Sequence, residues 1–399
     1  MGTPRVTAGA IALAATLAAM ATVGPTAGVA SASTAHATPA TWHVQSSPNP
    51  PGTTRNADLY DIACPTASSC VAVGQSSDTS YKNANRLLER WNGSAWSIQT
   101  TPAPSGNPLT SFFSVACSSA SACTVVGASY PASGDRSLVE RWNGTQWSIQ
   151  TTPVPSSGKA LLFGVACPSA TSCFAVGDSE ASNGNPPLIL HWNGSSWSLQ
   201  TVAHPAGTHY IFYSVACRST SDCTAVGEIA HAAGAASPLI VHWNGSKWSA
   251  QTPGAPAGGR SAFLSDVRCP SATQCLAVGD TYVPDGNAIS DTFGLAEAWD
   301  GHTWTVLATP IPIQGANDQY MGVACPAVSK CVIVGLYASS TIVPLVFRWD
   351  GSTFAEDNEQ SVGNFSYLDS VNCNGANSCV AVGEGRPSTV DRTLVERSP

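Results

Sequence analysis

The chain alternates short apolar runs with polar connections rich in Gly, Pro, Ser and Asn, and the pattern repeats from one end to the other. One copy reads cleanly from Leu161 to Val202. In the next copy, Phe212-Tyr213-Ser214-Val215-Ala216-Cys217 precedes Cys223-Thr224-Ala225-Val226-Gly227. Aromatic and β-branched residues bounded by turn formers predict a strand over each. A variable polar segment leads to a third run, Leu239-Ile240-Val241-His242-Trp243, and Asn244-Gly245 then signals a tight hairpin with positive φ. The fourth run, Trp248-Ser249-Ala250-Gln251-Thr252, ends at Pro253. Each copy is thus a meander of four short strands, with no helical period.

The copies align on a cysteine pair with five intervening residues: Cys64 with Cys70, Cys117 with Cys123, Cys167 with Cys173, Cys217 with Cys223, Cys269 with Cys275, Cys325 with Cys331, and Cys373 with Cys379. These seven pairs use all 14 cysteines. The first cysteine advances by 48 to 56 residues between copies, the period of a supersecondary unit that cannot bury its faces alone. Seven four-stranded units predict an all-β fold, a seven-bladed β-propeller. The last copy stops at Leu394-Val395-Glu396-Arg397, without its WNGxxWSxQ strand. At the other end, Trp42-His43-Val44-Gln45 matches Trp96-Ser97-Ile98-Gln99. The N-terminal strand is therefore expected to complete the last blade and close the ring, removing open edges.

Residues 1–32 read as a secretory signal, with Arg5 ahead of an apolar run from Ala8 to Val23, and cleavage could fall as late as 37. A short linker, 33–40, would lead to a single propeller domain over 41–399. The mature chain has no second apolar stretch of membrane length, so a secreted, extracellular protein, expected as a monomer, follows. Charged residues are 11% and the formal charge is −8, which leaves no basic stripe for phosphates and excludes nucleic acid as a partner.

Within a copy the cysteines flank a tight connection between adjacent strands, which suits a disulfide. Zinc sites more often use closely spaced CxxC pairs. Loop entropy for so small a ring gives roughly 2–3 kcal/mol per bridge. Tryptophan pairs such as Trp142 with Trp147 and Trp192 with Trp197 recur at fixed positions, which favours packing over sugar stacking. Asn92-Gly93-Ser94 and its equivalents fit a glycosylation acceptor, but Asp300-Gly301 and Asp350-Gly351 take the same place, so turn geometry explains them. His191 and His242 share a repeat position with Arg90, Arg141, Arg348 and Arg397, read as an exposed strand position rather than a metal site. Glu89, Glu140, Glu297 and Glu396 share the adjoining position and are expected to pair with arginines on neighbouring strands.

The recurring VACPSATSCxAVG and LxERWNGxxWSxQxTP motifs resemble the secreted actinobacterial propeller-like repeat proteins, mostly of unknown function. The resemblance spans 41–399 and implies fold and export, with no catalytic residues to carry over. The Asp-box of sialidases and the double glycine of kelch repeats are absent, and Trp349-Asp350 is a solitary match to WD repeats.

No GxSxG, HExxH, P-loop or dinucleotide fingerprint is present. The distance from the second-strand glycine to the third-strand tryptophan runs from 14 to 20 residues, whereas the cysteine and Asn/Asp-Gly connections keep their length. Variable loops on a rigid ring are where binding groups sit. Four copies place a carboxylate after that glycine: Asp178, Glu228, Asp280 and Glu384. Three residues before the first cysteine, small or acidic residues include Asp61 and Asp266. These acids are expected to form an acidic channel mouth, with Tyr282, Asp285 and Asp291 of the longest loop adding contacts. No cofactor is called for, though such a channel could hold a cation. The reading is a non-catalytic propeller that binds an extracellular glycan, cell-wall polymer or protein through its variable face. The alternative is a glycosidase or polysaccharide lyase using acids at the channel mouth.

Overall fold

The computed structural model describes residues 40–398 apart from 52–54, 79–82, 156–157, 181–183, 206–208, 232–233, 286–287, 311–316 and 376–377. The expected signal, and all of the linker but its last residue, lie outside the described residues. Twenty-eight strands, numbered in chain order, form seven four-stranded antiparallel sheets, so the protein is a seven-bladed β-propeller.

The first blade runs β2 (Arg55–Thr66), β3 (Ser69–Asp78), β4 (Asn85–Trp91) and β5 (Trp96–Ile98), with β2 innermost. The innermost strands that follow are β6 (Leu109–Ser119), β10 (Leu161–Ser169), β14 (His209–Ser219), β18 (Ser261–Ser271) and β22 (Asn317–Ala327). The seventh sheet is ordered β26 (Ser366–Cys373), β27 (Cys379–Gly385), β28 (Arg392–Arg397) and then β1 (His43–Val44). Here His43 faces Arg397 and Val44 faces Glu396 across the ladder, so the N-terminal strand closes the ring as its sequence predicts. Trp42 is fully buried just before it. Asp357 anchors this entry: its Oδ2 accepts from Trp42 Nε1 at 3.0 Å and Arg348 Nε at 2.6 Å, and its Oδ1 accepts from Ala40 N at 2.9 Å.

The core lies between blades. Val71, Val73 and Leu88 of the first blade pack with Phe112, Val115 and Val125 of the second. Across the closing seam, Ala57, Leu59 and Ala72 pack with Val380, Val382 and Val395. Second strands are covered on both faces, which is why they read as the continuous apolar run AVG or VVG rather than as an alternation. The glycine ending that run faces a bulge on the innermost strand. A Cβ on Gly227 would stand 1.9 Å from the Ile211 carbonyl oxygen, at the register shift between Phe212 and Ser214.

All seven expected disulfides are formed within their copies: Cys64 to Cys70, Cys117 to Cys123, Cys167 to Cys173, Cys217 to Cys223, Cys269 to Cys275, Cys325 to Cys331, and Cys373 to Cys379. Their Cα atoms stand 4.0–4.1 Å apart, and no cysteine is free. The second member of each pair, Cys70, Cys123, Cys173, Cys223, Cys275, Cys331 or Cys379, is buried on a second strand, between the blades on either side. These sulfurs are therefore packed staples and offer no accessible ligand group. In the Asn-Gly hairpin, Asn92 Oδ1 accepts from Ser94 N and Ala95 N, both at 2.9 Å, and Gly93 takes φ 96°. Asp350 does the same work for its own turn, so the side-chain acceptor, not glycosylation, accounts for both residue types.

Two expectations are corrected. The longest variable loop is an extended hairpin, β19 (Gln274–Asp285) and β20 (Ala288–Trp299), because its Tyr-Val-Pro-Asp and Ile-Ser-Asp-Thr-Phe stretches continue the ladder to Asp285 opposite Ala288. The arginine position is half-buried rather than exposed. Arg90 lies over Trp142 at 4.8 Å, Arg141 over Trp192 at 4.3 Å and, across the seam, Arg397 over Trp91 at 5.2 Å. Each guanidinium thus ties its blade to the next through a cation–π contact.

Candidate functional site

The innermost strands enclose a channel cavity of about 420 Å³ on the side toward the cysteine connections. The bulge on each innermost strand decides what faces it. The residue four before the first cysteine turns to the lumen: Tyr60, Phe113, Phe163 and Tyr213 on four consecutive blades, then Ser265, Met321 and Asp369. The four rings are half-buried and follow one another at 6.2, 5.5 and 6.1 Å between centroids, an aromatic arc over more than half the circumference. Opposite the arc the wall carries the polar Ser265, Arg268 and Asp369 with the apolar Met321 among them.

The next residue along, where the sequence placed Asp61 and Asp266, lines the cavity but is engaged between blades. Asp61 Oδ2 accepts from Ser114 Oγ at 2.7 Å and Val115 N at 2.8 Å on the second blade. Its Oδ1 accepts from Ser370 Oγ on the seventh blade at 2.7 Å and from Ile62 N at 2.8 Å. Asp266 joins the fourth, fifth and sixth blades: Oδ1 accepts from Ser214 Oγ at 2.6 Å and Arg268 Nη1 at 2.7 Å, and Oδ2 accepts from Val323 N at 2.9 Å. Burial pushes the Asp61 carboxyl up, while the Arg268 charge and its hydrogen bonds oppose the rise. The glycines at this position are small for the same reason: a Cβ on Gly164 would stand 2.9 Å from the Ser214 Cα. These side chains form an inter-blade belt, so their small size reflects blade contact rather than a water-filled lumen.

Of the second-strand acids, Asp178, Asp280 and Glu384 are buried, and Asp178 and Glu228 lie close enough for their charges to repel. Asp178, 8% exposed, is pushed up to about 7 by burial and by the neighbouring Glu180 charge. Glu228 is raised by burial and accepts from Tyr213 Oη at 3.1 Å. Asp280 is raised well above the carboxylate range by burial, with Tyr320 N donating to it at 3.0 Å and Asp318 nearby. Glu384, 4% exposed, lies with Asp58 and Asp391, which the sequence did not single out, and one oxygen from each falls within 4.8 Å of the others. Tyr282 is buried, its hydroxyl donating to the Gly234 carbonyl at 3.0 Å and its ring 6.2 Å from Phe263, so it packs rather than projecting. Asp285 and Asp291 lie on the extended hairpin, Asp285 at the end of the strand that carries Asp280, and their side chains are outside the described residues.

The aromatic arc was within reach of the sequence, since it is one column of the repeat alignment. The Asp58, Glu384 and Asp391 group was not, because only ring closure joins the first blade to the last.

The four recurring glutamates are all buried, and two of them act as backbone acceptors rather than arginine partners. Glu297 Oε2 accepts from Gly254 N at 2.8 Å and Glu396 Oε2 from Gln360 N at 3.4 Å, each holding the chain that leaves the preceding blade. Glu140 alone among the four lies near a guanidinium in the described residues, Arg86 at 3.4 Å.

The chain is thus a disulfide-stapled seven-bladed propeller with an aromatic-lined channel. No protein-family model and no curated protein matches it. Among solved structures it is similar to YCF48 bound to D1 peptide, at TM-score 0.54 and 14% identity, over 90% of this chain and 96% of that one. It is also similar to a polysaccharide lyase, ulvan lyase bound to -[GlcA(1-4)Rha3S]-, at TM-score 0.53 and 8% identity, over 82% and 89%. At these identities the likeness concerns the fold alone. The disulfides fit an oxidising compartment, and no helix among the described residues is long and apolar enough to cross a membrane.

Proposed function

We propose that the protein is a secreted, non-catalytic binding propeller whose channel and variable rim capture an extracellular glycan, wall polymer or protein segment. The observation that carries this reading is the half-buried arc of Tyr60, Phe113, Phe163 and Tyr213 facing Ser265, Arg268 and Asp369 across a cavity of about 420 Å³. Rings on one side and hydrogen-bonding groups on the other suit a ligand with an apolar face and a polar edge, as a sugar ring or a peptide presents. Glycoside cleavage needs two carboxyl groups flanking the scissile bond. The engagement of Asp61 and Asp266 by neighbouring blades favours binding over that chemistry. Export and kinship with the actinobacterial repeat proteins belong to the same proposal, supported by the disulfides and by the repeat motifs.

The test is retention of the exported protein on a panel of wall polymers and polysaccharides, with reducing ends and unsaturated products measured in the same tubes. Retention without release is expected, and a double variant, Phe113→Ala with Phe163→Ala, of unchanged melting temperature should lose about tenfold in affinity, the scale of losing two aromatic contacts. Release of product would overturn the non-catalytic reading. Undiminished retention by the double variant would move the site off the arc.

A further inference from the structure

The seam between the seventh and first blades concentrates negative charge that the binding reading does not use. Asp58 stands on β2, Glu384 on β27, and Asp391 immediately before β28; they are 3%, 4% and 1% exposed. The Asp391 backbone is zipped to the first blade: its N donates to Asn56 Oδ1 at 3.2 Å, and its carbonyl accepts from Ala57 N at 3.2 Å. That pairing brings Asp391 within reach of Asp58, and one oxygen from each of the three carboxylates lies within 4.8 Å of the others. Burial and repulsion from Asp58 push the Glu384 carboxyl up to about 11, and burial also raises Asp58. Three like charges in so small a volume are costly without a counter-charge.

Two further observations bear on the cluster. Asp58, 3% exposed, has its Oδ1 buried without a hydrogen-bond partner, while its Oδ2 accepts from Tyr60 Oη at 3.5 Å. Among the described ion pairs, the basic group paired into the cluster is Arg386, whose Nε bonds Asp391 Oδ1 while its guanidinium lies 4.3 Å over the Phe365 ring. That guanidinium offsets one of the three carboxylate charges. An oxygen-only donor set matches a hard cation rather than zinc, and oxygens bound at about 2.3–2.6 Å to one calcium ion lie no more than about 5 Å apart.

We propose that Asp58, Glu384 and Asp391 bind a divalent cation of the calcium class at the closing seam. The ligands come from both ends of the chain, so the ion binds the closed ring and not the unfolded chain, and acts as a second fastener beside β1. The two charges of the ion, with the Arg386 guanidinium, balance the three carboxylates.

The exported protein, stripped with EDTA, would be melted with and without 1 mM calcium, with magnesium and matched sodium chloride as comparisons, and its metal content read by elemental analysis. We expect about one calcium per chain and a rise in melting temperature of about 3 °C or more, on the order that ligand linkage gives well above Kd. Asp58→Asn should abolish the rise. Should that variant fail to fold, calcium titration of the wild-type protein decides alone. No bound calcium and no shift would overturn the proposal, and so would an equal shift in Asp58→Asn. A stripped Asp58→Asn protein more stable than wild type, with wild type indifferent to calcium, would identify the cluster as a proton-sharing one instead.

Discussion

Asp61 accepts four hydrogen bonds from three blades, and both of its oxygens are used twice. Asn offers one acceptor oxygen and would turn an N–H toward donors that already point inward. Leaving the Val115 or Ile62 N–H unsatisfied costs about 1–3 kcal/mol. Asp61→Asn is therefore expected to lower the unfolding free energy by that much, read as a lower denaturant midpoint at an unchanged m value. A variant as stable as wild type would mean that the belt carries no stability. The column containing Asp61 was legible from sequence as small or acidic, but the reason for it was not. Only the bulge on each innermost strand shows that this residue meets a neighbouring blade while the preceding aromatic meets the lumen.

At the scale of the element, β1 is two residues long, yet it is held by more than its ladder. Trp42 is buried in the core between the last blades, Asp357 accepts from Trp42 and Ala40, and Gln45 Oε1 accepts from Trp96 Nε1 of the first blade at 3.0 Å. Deleting Thr41 to Pro48 removes the Trp42 and Gln45 contacts and bares the β28 edge. The truncated protein should melt about 10 °C lower or aggregate, since burying a tryptophan of this kind is worth about 3–5 kcal/mol by itself. Equal melting of truncated and intact protein would show that the ring closes without the strand. Strand existence, order and the disulfides could be read from sequence because each depends on neighbours within one copy. The extension of β19 and β20 into a hairpin could not, since composition alone does not separate a long polar loop from a ladder that continues past the rim.

For the molecule as a whole, buried acids around the ring set the response to pH. Burial raises Glu89 and Glu396 to about 8, and Glu140, Glu297 and Asp178 to about 7. The unfolded chain releases these protons near the ordinary values of 4.5 for glutamate and 3.8 for aspartate, so the folded ring binds more protons between there and about 8. Stability is full below that window and falls as pH rises through it. Melting temperature should decline steadily from pH 5 to pH 9, and Glu89→Gln should flatten part of the decline; a rise over that range would contradict the burial of these acids. The sequence by itself determined the seven repeats, their four strands, the seven staples and the closed ring, because each is written in a local period or in complementary chain ends. The tertiary structure alone decided which acids meet one another. Asp61 with Ser370, Asp58 with Glu384 and Asp391, and Arg397 with Trp91 are all contacts across the closing seam, between residues from opposite ends of the chain. No periodicity along the chain encodes such distances; they follow from bending seven near-identical blades until the last meets the first.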